Sequence, residues 1–367
     1  MSGYIYDLPD WPKFQWNREV LSQRLATLHF KQGRLIGRME TLGFSLRAEA
    51  VLRTLTLDVL KSSEIEGEVL DKEQVRSSVA RRLHMDIGAL PSIDRNVEGV
   101  VEMILDATQN YDKPLTKGRL FAWHASLFPT GASEMRNIRV GTWRDDAEGP
   151  MVVASGPIGR ERVHFEAPPA DRIEREMEAF LEWFNNDDGT DLVLRAGIAH
   201  LWFVTIHPFE DGNGRIARAI ADMTLARSEQ SPRRFYSMSA QIRNERPAYY
   251  GGLEETQKGT LDITSRLEWF LECMDRAIEG AEETLGSVLR KTRFWETHAG
   301  ASFNDRQRLI LNKLLDGFEG KLTSSKWAKL TECSQDTAWR DILDLVNRHI
   351  LTKDPAGGRS TSYSLSS

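Results

Sequence analysis

A twelve-residue polar segment in the middle of the chain is flanked on both sides by apolar sequence. Before it, apolar residues recur at helical spacing from Leu192 to Ile206, and a second apolar run begins at Ile216. Because proline cannot continue a helix, we expect the first helix to end here and the residue before the proline to be extended. The pattern predicts a tight loop between two buried helices, with the sequence His207-Pro208-Phe209-Glu210-Asp211-Gly212-Asn213-Gly214-Arg215-Ile216-Ala217-Arg218.

The residue types in this loop are those of an anion site. Gly212 and Gly214 allow positive φ and close backbone approach just ahead of a helix N-terminus, where free N–H groups and the helix dipole attract anions. Asn213 lies between them and can donate its side-chain amide to a phosphate oxygen. Arg215 and Arg218 share a helix face where the dipole disfavours cations, which indicates that an anion binds there.

Two further side chains in the loop add reactive chemistry. Asp211 offers a hard oxygen ligand suited to Mg²⁺, which proteins hold with few carboxylates plus phosphate oxygens. His207 belongs to the residue type that titrates closest to neutral pH, so it can take a proton from an attacking hydroxyl. Each residue alone has a simple structural explanation, such as a packed histidine or a glycine turn. Their occurrence together within twelve residues favours a functional site.

The segment resembles the signature of the Fic family, His-x-Phe-x-Asp/Glu-Gly-Asn-Gly-Arg-x-x-Arg, and matches every fixed position. The resemblance implies transfer of a nucleoside monophosphate, usually AMP from ATP, onto a protein hydroxyl. It implies that His207 is the base, Asp211 the magnesium ligand and Phe209 the residue that anchors the loop in the core. By the same resemblance the anion hole is formed by Gly212, Asn213 and Gly214, and the outer phosphates are held by Arg215 and Arg218.

A second informative stretch, Ser62-Ser63-Glu64-Ile65-Glu66-Gly67, ends a predicted helix that begins near Leu46. Gly67 is a natural helix stop, and Ser62 and Glu66 are four residues apart on one helix face. The stretch resembles the inhibitory motif of one Fic class, Ser/Thr-x-x-x-Glu-Gly/Asn. That resemblance implies that Glu66 pairs with Arg218 and removes the guanidinium that should hold the γ-phosphate. The alternative is an exposed helix end without regulatory function.

Residues 137–167 change from helical to β-like sequence broken by glycines, with Val140, Trp143 and residues 151–153 and 163–165 as the β-like positions. We expect a hairpin. In Fic proteins a hairpin at this place, the flap, lies beside the catalytic loop and holds the target by strand addition. The landmarks Gly141-x-x-Arg144 and Pro168-Pro169 resemble that region. A plain connecting hairpin is the alternative.

Tyr249 and Tyr250 follow the catalytic segment in a helix-loop region. The family resemblance implies that one of them lines the nucleoside pocket. The alternative is that both tyrosines only pack between helices.

The remaining pattern predicts a mainly α fold in four parts. We expect an N-terminal helical region carrying the inhibitory motif over 1–100, a Fic helical core with a small hairpin flap over 101–285, a connector helix over 286–301 and a winged helix-turn-helix domain over 302–367. The last assignment follows from two helices and a hairpin with a Gly357-Gly358 turn.

The predicted winged helix is a poor match for DNA. Residues 301–367 contain ten Lys and Arg against eight Asp and Glu, and the would-be recognition helix carries Asp336, Asp341 and Asp344. DNA binding normally needs a basic face. We therefore favour a protein-contact or dimer-supporting role for this domain, with DNA as the alternative.

Charge, hydrophobicity and cysteine content indicate where in the cell the protein is expected. The net charge of −6 argues against whole-chain attraction to nucleic acid or an anionic membrane. No apolar run reaches the roughly 18 residues of a membrane span, and the N-terminus lacks a signal-peptide pattern. Cys273 and Cys333 show neither metal-ligand spacing nor a disulfide framework. We expect a cytoplasmic protein without a membrane partner.

Together these features predict a protein adenylyltransferase, an enzyme that transfers AMP from Mg-ATP to a Ser, Thr or Tyr hydroxyl of a protein and is self-inhibited by Glu66. Self-modification is included among the expected targets. One alternative is a nucleotide-sensing, DNA-binding transcriptional regulator. Another is a Fic enzyme with a different nucleotide donor or with AMP-removing activity. A homodimer is also open, because helical periodicity does not distinguish a dimer surface from core.

Overall fold

The computed structural model describes residues 3–85, 93–133, 136–156, 160, 162–315, 318, 320–355 and 361–366. The chain forms two compact units, Met1–Ala281 and Glu282–Ser367. After a short 3-10 helix at Ile5–Asp7, the helices of the first unit are α1 (Arg18–Glu40), α2 (Phe44–Ile65), α3 (Lys72–Arg82), α4 (Arg95–Gln109), α5 (Lys117–Leu127), α6 (Ala170–Asn185), α7 (Leu192–Ile206), α8 (Asn213–Glu229), α9 (Met238–Asn244) and α10 (Arg246–Gln257). Helix α11 (Thr264–Thr297) begins in this unit.

Short antiparallel strand pairs complete both units. In the first unit β1 (Ala132–Ser133) pairs with β2 (Arg136–Asn137), and β3 (Val152–Ser155) pairs with β4 (Arg162–Glu166). The second unit contains α12 (Asp305–Leu315), α13 (Ser324–Leu330), α14 (Gln335–Asn347) and the strand pair β5 (Leu351–Lys353) with β6 (Tyr363–Leu365). The prediction of a mainly helical fold is confirmed.

Helices α7 and α8 form the centre of the first unit. Every residue of α7 from Val193 to Ile206 is buried, and α8 is buried from Arg215 to Ala226. A helix that is apolar on all sides belongs in a core rather than at a surface. Asp191 caps α7 by accepting a hydrogen bond from the backbone N–H of Val193. Because both helices are fixed, the loop between them is fixed as well.

Helix α2 ends in a turn that requires glycine. Gly67 has φ +94° and donates from its N–H to the Glu64 carbonyl at 3.2 Å. The next N–H, of Glu68, donates to the Ser63 carbonyl at 3.1 Å. This pair of bonds is the Schellman arrangement, in which a residue in the left-handed region stops the helix. The turn places the side chains on both sides of Gly67 next to the start of α8.

The flap hairpin, β3 and β4, is shorter than the β-like sequence around it. Val140 and Trp143 lie outside the strands, so their assignment as β positions was wrong. Trp143 is buried and packs against Phe209 at 5.1 Å between ring centroids. Aromatic and β-branched residues are favoured on half-buried surfaces of any kind, not only in strands. Trp143 is buried in the core by packing on Phe209 and does not pair in a strand.

The second unit has its own apolar core, which includes Ile310, Trp327, Ile342 and Leu345. Two of the three acids on α14 are partnered inside this unit. Asp341 accepts from Arg306 Nε at 2.7 Å, and Asp344 accepts from Gln307 Nε2 at 2.8 Å.

Helix α12 thus supplies partners for Asp341 and Asp344, two of the three acids that the sequence places on the predicted recognition helix. The predicted Gly357-Gly358 turn lies outside the described residues. Within the described ranges, no helix combines the length and the apolar character that crossing a bilayer demands.

Candidate active site

His207 occupies the residue position at which α7 ends. Its φ and ψ are 53° and 57°, left-handed rather than extended as expected before proline. Its N–H donates to the Phe203 carbonyl at 3.0 Å, and its own carbonyl accepts from Arg144 Nε at 2.8 Å. The Arg144 N–H also donates to the Pro208 carbonyl at 3.0 Å. These tertiary bonds stabilise a backbone conformation that costs energy for a residue with a side chain.

The imidazole of His207 is held as a neutral base. Its Nδ1 lies 3.1 Å from the Val204 carbonyl, which can only accept, so Nδ1 carries the proton and Nε2 is the free acceptor. Burial lowers the pKa of His207 to about 4, with the Arg144 guanidinium acting in the same direction. At neutral pH the ring is therefore unprotonated at Nε2.

Phe209 and Asn213 stabilise the loop between α7 and α8 through mutual hydrogen bonds. The Phe209 N–H donates to Asn213 Oδ1 at 3.0 Å, and Asn213 Nδ2 donates to the Phe209 carbonyl at 2.7 Å. Phe209 is fully buried and stacks on His124 with ring centroids 4.2 Å apart. One N–H of the Asn213 amide is used on the Phe209 carbonyl, so this side chain supports the loop geometry. Its donation to a phosphate stays a prediction.

The N-terminus of α8 offers uncapped backbone donors. Gly212, at the N-cap position, has φ 79° and no side chain that could accept from the first N–H groups of the helix. A Cβ at Gly212 would lie 2.9 Å from the ring of Phe128. A Cβ at Gly214 would collide with the carboxylate of Glu66. Glycine at these positions therefore permits a tight turn and lets an anionic group approach the helix end.

Asp211 is oriented by several neighbours. Its carboxylate accepts from the Ser133 hydroxyl and, at 2.5 Å, from the N–H of Gly212. Its carbonyl lies 3.2 Å from His124 Nε2, while the Gly141 N–H donates to His124 Nδ1 at 3.1 Å. Nε2 of His124 must then carry the proton, and burial lowers the pKa of His124 to about 4. Sequence reasoning missed His124, since a histidine in a helix 87 residues away gave no local signal.

Asp211 fits a magnesium ion bound together with a nucleotide. Among the described residues there is no cluster of three or more His, Cys, Asp or Glu side chains that could hold a metal by themselves. Magnesium is usually held by one or two carboxylates plus phosphate oxygens and water. A single oriented carboxylate beside an uncapped helix N-terminus matches that donor set.

The ion pair that the family resemblance implied is present. Arg218 is 2% exposed, and its Nη1 lies 2.8 Å from Glu66 Oε1. Its Nε donates to Ser62 Oγ at 3.0 Å and its Nη2 to the Ser62 carbonyl at 2.8 Å. Burial lowers the pKa of Arg218, but the Glu66 carboxylate together with Tyr249 and Tyr250 outweighs this, and the net pKa is raised. The end of α2 thus surrounds this guanidinium.

Arg215 has a carboxylate partner that sequence reasoning missed. Its Nη1 lies 2.7 Å from Glu68 Oε2, and its guanidinium lies over the Phe128 ring at 5.1 Å. Glu68 is outside the inhibitory motif, and only the turn at Gly67 brings it to Arg215. Both arginines expected to hold phosphates are therefore paired with carboxylates from one helix end.

The two tyrosines have different surroundings. Tyr249 is 1% exposed, and its hydroxyl lies 3.0 Å from His200 Nε2, so most of its surface is packed. The Tyr250 hydroxyl donates to Glu66 Oε2 at 3.2 Å. Arg246, which sequence reasoning did not single out, donates from Nε to the Ile65 carbonyl at 2.8 Å. Helix α10 therefore holds the end of α2 in place.

Several of these residues line one cavity of about 550 Å³, and Arg215 and Arg218 lie behind its lining residues Gly214 and Glu66. Its size is in the usual range for a small-molecule site. It is lined by the catalytic loop, the end of α2, the flap and α10, through residues that include Glu66, residues 151–155, His164, His207, residues 210–214, Tyr249, Tyr250 and Glu254.

Residues 114–225 match the Fic/DOC family. The chain contains a Fic/DOC family domain. Residues 4–85 match a second family, described as a domain of unknown function, DUF4172. The Fic/DOC match includes the flap, the catalytic loop and most of α8.

Several curated proteins resemble part of this chain. The protein adenylyltransferase Fic of Nematostella vectensis is 34% identical over 116 residues, which cover 30% of this chain and 25% of that protein. The protein adenylyltransferase fic-1 of Caenorhabditis elegans is 30% identical over 114 residues, covering 30% and 21%. A probable protein adenylyltransferase of Aquifex aeolicus is 28% identical over 103 residues, covering 28% and 30%. The chain thus spans less than a third of the length of each of these relatives.

Two solved structures share the fold. A Fic family protein from Desulfovibrio desulfuricans has a TM-score of 0.51 at 21% identity, covering 94% of this chain and 96% of that one. A Fic domain-containing signaling protein from Bacteroides thetaiotaomicron has a TM-score of 0.51 at 20% identity, covering 70% and 95%. At this identity the likeness concerns the fold alone.

Proposed function

We propose that this protein is a protein adenylyltransferase that moves AMP from Mg-ATP to a Ser, Thr or Tyr hydroxyl and is inhibited by its own Glu66. The observation that carries the proposal is the neutral imidazole of His207 at the edge of an uncapped helix N-terminus with two buried arginines. The adenylyltransferase names of partial relatives at about 30% identity support the same chemistry.

In the proposed reaction, His207 Nε2 accepts the proton of the target hydroxyl as its oxygen attacks the α-phosphorus of ATP. The new oxygen–phosphorus bond forms while the bond to pyrophosphate breaks. The N–H groups at the start of α8, with Arg215 and Arg218, hold the phosphates and stabilise the charge that develops. Asp211 would hold Mg²⁺, which when bound neutralises phosphate charge.

Inhibition follows from the position of the Glu66 carboxylate. It lies against Gly214 at the helix N-terminus and pairs with Arg218, so it occupies an anion position and neutralises a phosphate ligand. A triphosphate would meet a like charge there and would have to displace Glu66 from Arg218 and Tyr250. A buried guanidinium that loses its partner is costly, which favours the inhibited state until an anion replaces the carboxylate.

For the rest of the chain we propose the division predicted from the sequence. Residues 1–100 would carry the inhibitory motif, 101–285 the catalytic core, 286–301 a connector that includes the end of α11, and 302–367 a winged helix. The order of α12, α13, α14, β5 and β6 supports the last assignment. With a net charge of only +2 over 301–367, we propose a protein partner or a homodimer for this domain rather than DNA.

The test compares wild type, Glu66→Gly and His207→Ala in a cell lysate with Mg²⁺ and each of the four α-labelled nucleoside triphosphates. Label on proteins other than the enzyme itself is measured on a gel. We expect ATP to be the donor and Glu66→Gly to increase labelling about tenfold or more, the size of a lost strong charge contact. His207→Ala should lower labelling about 10²-fold or more, as for a lost general base.

The matched control is Glu64→Gly, which changes the same helix turn but removes a carboxylate that pairs with Lys61 instead of Arg218. It should label lysate proteins as wild type does. Equal labelling by His207→Ala and wild type would remove the assigned base. Equal labelling by Glu64→Gly and Glu66→Gly would trace the increase to a loosened helix end instead of the lost ion pair.

A further inference from the structure

Three polar side chains that the proposed reaction does not use form a hydrogen-bonded chain beside the same cavity. Ser155 Oγ, on β3, lies 2.6 Å from His164 Nε2 on β4. His164 Nδ1 lies 2.7 Å from Glu254 Oε2 on α10. All three residues line the cavity that also contains His207. Hydroxyl, imidazole and carboxylate in this order are the arrangement that activates a serine as a nucleophile.

A β-bulge on β4 sets the direction of the His164 side chain. Val153 pairs with Phe165 and Ala154 pairs with Val163, so His164 is the extra residue on β4. Bulges beside active sites turn a side chain away from the direction that regular strand alternation would give it. Here the turned side chain reaches a serine on the neighbouring strand and a carboxylate on a separate helix.

The charge state of Glu254 sets the direction of the hydrogen bonds. Lys258, His164 and Arg162 all donate to this carboxylate and lower the pKa of Glu254 to about 2. A carboxylate only accepts, so His164 Nδ1 carries a proton. In the tautomer with its single proton on Nδ1, Nε2 accepts from the Ser155 hydroxyl. Lys258 and Arg162 bind the other oxygen, Oε1, at 2.8 and 3.1 Å. Both cations contact Oε1, and Oε2 remains for the contact to His164.

We propose that Ser155 is the hydroxyl on which the protein places AMP when it modifies itself, with His164 as the base and Glu254 as a positioning residue. This inference rests on the proposed adenylyltransferase function and names one acceptor for it. Ser155 is exposed and lines the cavity, so its oxygen is accessible to a nucleotide bound there.

The step balances with ATP as the only co-reactant. Ser155 Oγ attacks the α-phosphorus, the Oγ–phosphorus bond forms and the bond from the α-phosphorus to pyrophosphate breaks. The hydroxyl proton moves to His164 Nε2, while Glu254 keeps the proton on Nδ1 in place. Because Ser155 has its own base, this modification should not need His207, unlike transfer to other proteins.

The experiment uses the full chain with Glu66→Gly as background, so that inhibition does not limit the rate. Glu66→Gly alone, and with His207→Ala, Ser155→Ala or Ser155→Thr, is incubated with Mg-ATP and mapped by peptide mass spectrometry. We expect AMP on residue 155 in the background, in its His207→Ala version and in its Ser155→Thr version. Ser155→Ala should remove that adduct while labelling of lysate proteins continues.

Two further variants test the role of His164 as base and of Glu254 as positioning residue. His164→Gln should slow modification of Ser155 about 10²-fold or more, and Glu254→Gln about tenfold, because proton transfer to an aligned base gives factors of this order. The ATP concentration for half-maximal rate should stay unchanged in both, which separates a chemical role from a structural one. Arg162→Ala is the matched control, since it removes a donor to Oε1 and leaves the chain intact. It should modify Ser155 within about twofold of the background, as expected for one exposed ion pair.

Each result that differs from these expectations contradicts one identifiable part of the proposal. An adduct only on other residues, or no adduct while lysate proteins are labelled, would remove Ser155 as the acceptor and leave the proposed function standing. Modification of Ser155 that requires His207 would remove His164 as the base. Absence of both the adduct and lysate labelling in Glu66→Gly would overturn the proposed function, and this inference with it.

Discussion

At the residue scale, the site depends on histidines that burial keeps neutral. His207 and His124 each have a pKa lowered to about 4, and the pKa of His200 is lowered well below its ordinary value. His207 and His124 each have a ring nitrogen bonded to a backbone group of fixed role, so packing sets the tautomer of these two histidines. For His207 this leaves a free Nε2, and for His124 it leaves a donor that holds the Asp211 carbonyl.

Buried neutral histidines make stability depend on pH. In the unfolded chain a histidine has a pKa near 6.5. In the folded chain burial lowers the pKa of His124 to about 4. The stability that this group contributes is therefore present above about pH 6.5 and is lost as the pH falls toward 4. We predict that His124→Gln, which keeps a donor and an acceptor, weakens this dependence by up to about 1.4 kcal/mol per pH unit.

The measurement is urea unfolding, followed by tryptophan fluorescence at pH 7, 6 and 5. Between pH 7 and 5 the free energy of unfolding should fall less in His124→Gln than in wild type. His84→Gln is the matched control, because His84 is exposed in the folded chain and should give the wild-type dependence. Identical slopes for His124→Gln and wild type would contradict the assignment.

At the element scale, the end of α2 acts as one unit on the start of α8. The turn at Gly67 places Glu66 and Glu68 on two arginines of a single helix face, Arg218 and Arg215. The two ion pairs differ in solvent exposure. The Glu66 side chain is 31% exposed against a 2% exposed arginine, and Glu68 is 36% exposed against 7%. The Glu68 pair should therefore be the weaker of the two.

We predict that Glu68→Gln increases labelling of lysate proteins, but only a few-fold, because Arg218 stays paired with Glu66 and the partly exposed Glu68 carboxylate is weakened by solvent. Combined with Glu66→Gly it should give more labelling than Glu66→Gly alone. Glu64→Gln removes a carboxylate from the same helix end without touching either arginine, and should match wild type. Lower labelling by Glu68→Gln would show that Glu68 supports catalysis.

At the scale of the whole molecule, the chain forms two units, each with its own apolar core. The residues of the proposed active site all belong to the first unit, Met1–Ala281. In the second unit Trp327, Ile342 and Leu345 are at most 1% exposed and belong to one cluster. Because the second unit has its own core, a substitution in that core should lower the free energy of unfolding of this unit alone.

We predict that Ile342→Ala lowers the free energy of unfolding of the second unit by about 2–5 kcal/mol, as large-to-small changes in a core do. The neighbouring Leu343 is 39% exposed, so Leu343→Ala should cost about 1 kcal/mol or less. Hydrogen exchange of the amides in α14 and β5, measured in the full chain, reports both changes. Equal exchange in the two variants would contradict the core assignment.

Local pattern predicted much of the architecture. Apolar periodicity marked α7 and α8, a proline and two glycines marked the loop between them, and Gly67 marked the end of α2. These signals act over a few residues, through backbone sterics and burial of one helix face, so they are visible in the sequence. The pairing of Glu66 with Arg218 was implied only by the family resemblance, since no local signal spans the chain between them.

The tertiary structure decided how the side chains are used. It turned the Asn213 amide inward to the Phe209 carbonyl, forced His207 into the left-handed region and brought Glu68 to Arg215. It also joined Ser155, His164 and Glu254 through a bulge that strand alternation does not predict. By itself the sequence determined which helices form and where a loop of anion-binding residues lies. Partner choice among buried polar groups depended on the packed chain, because such groups bond to whichever donor or acceptor the fold places within about 3 Å.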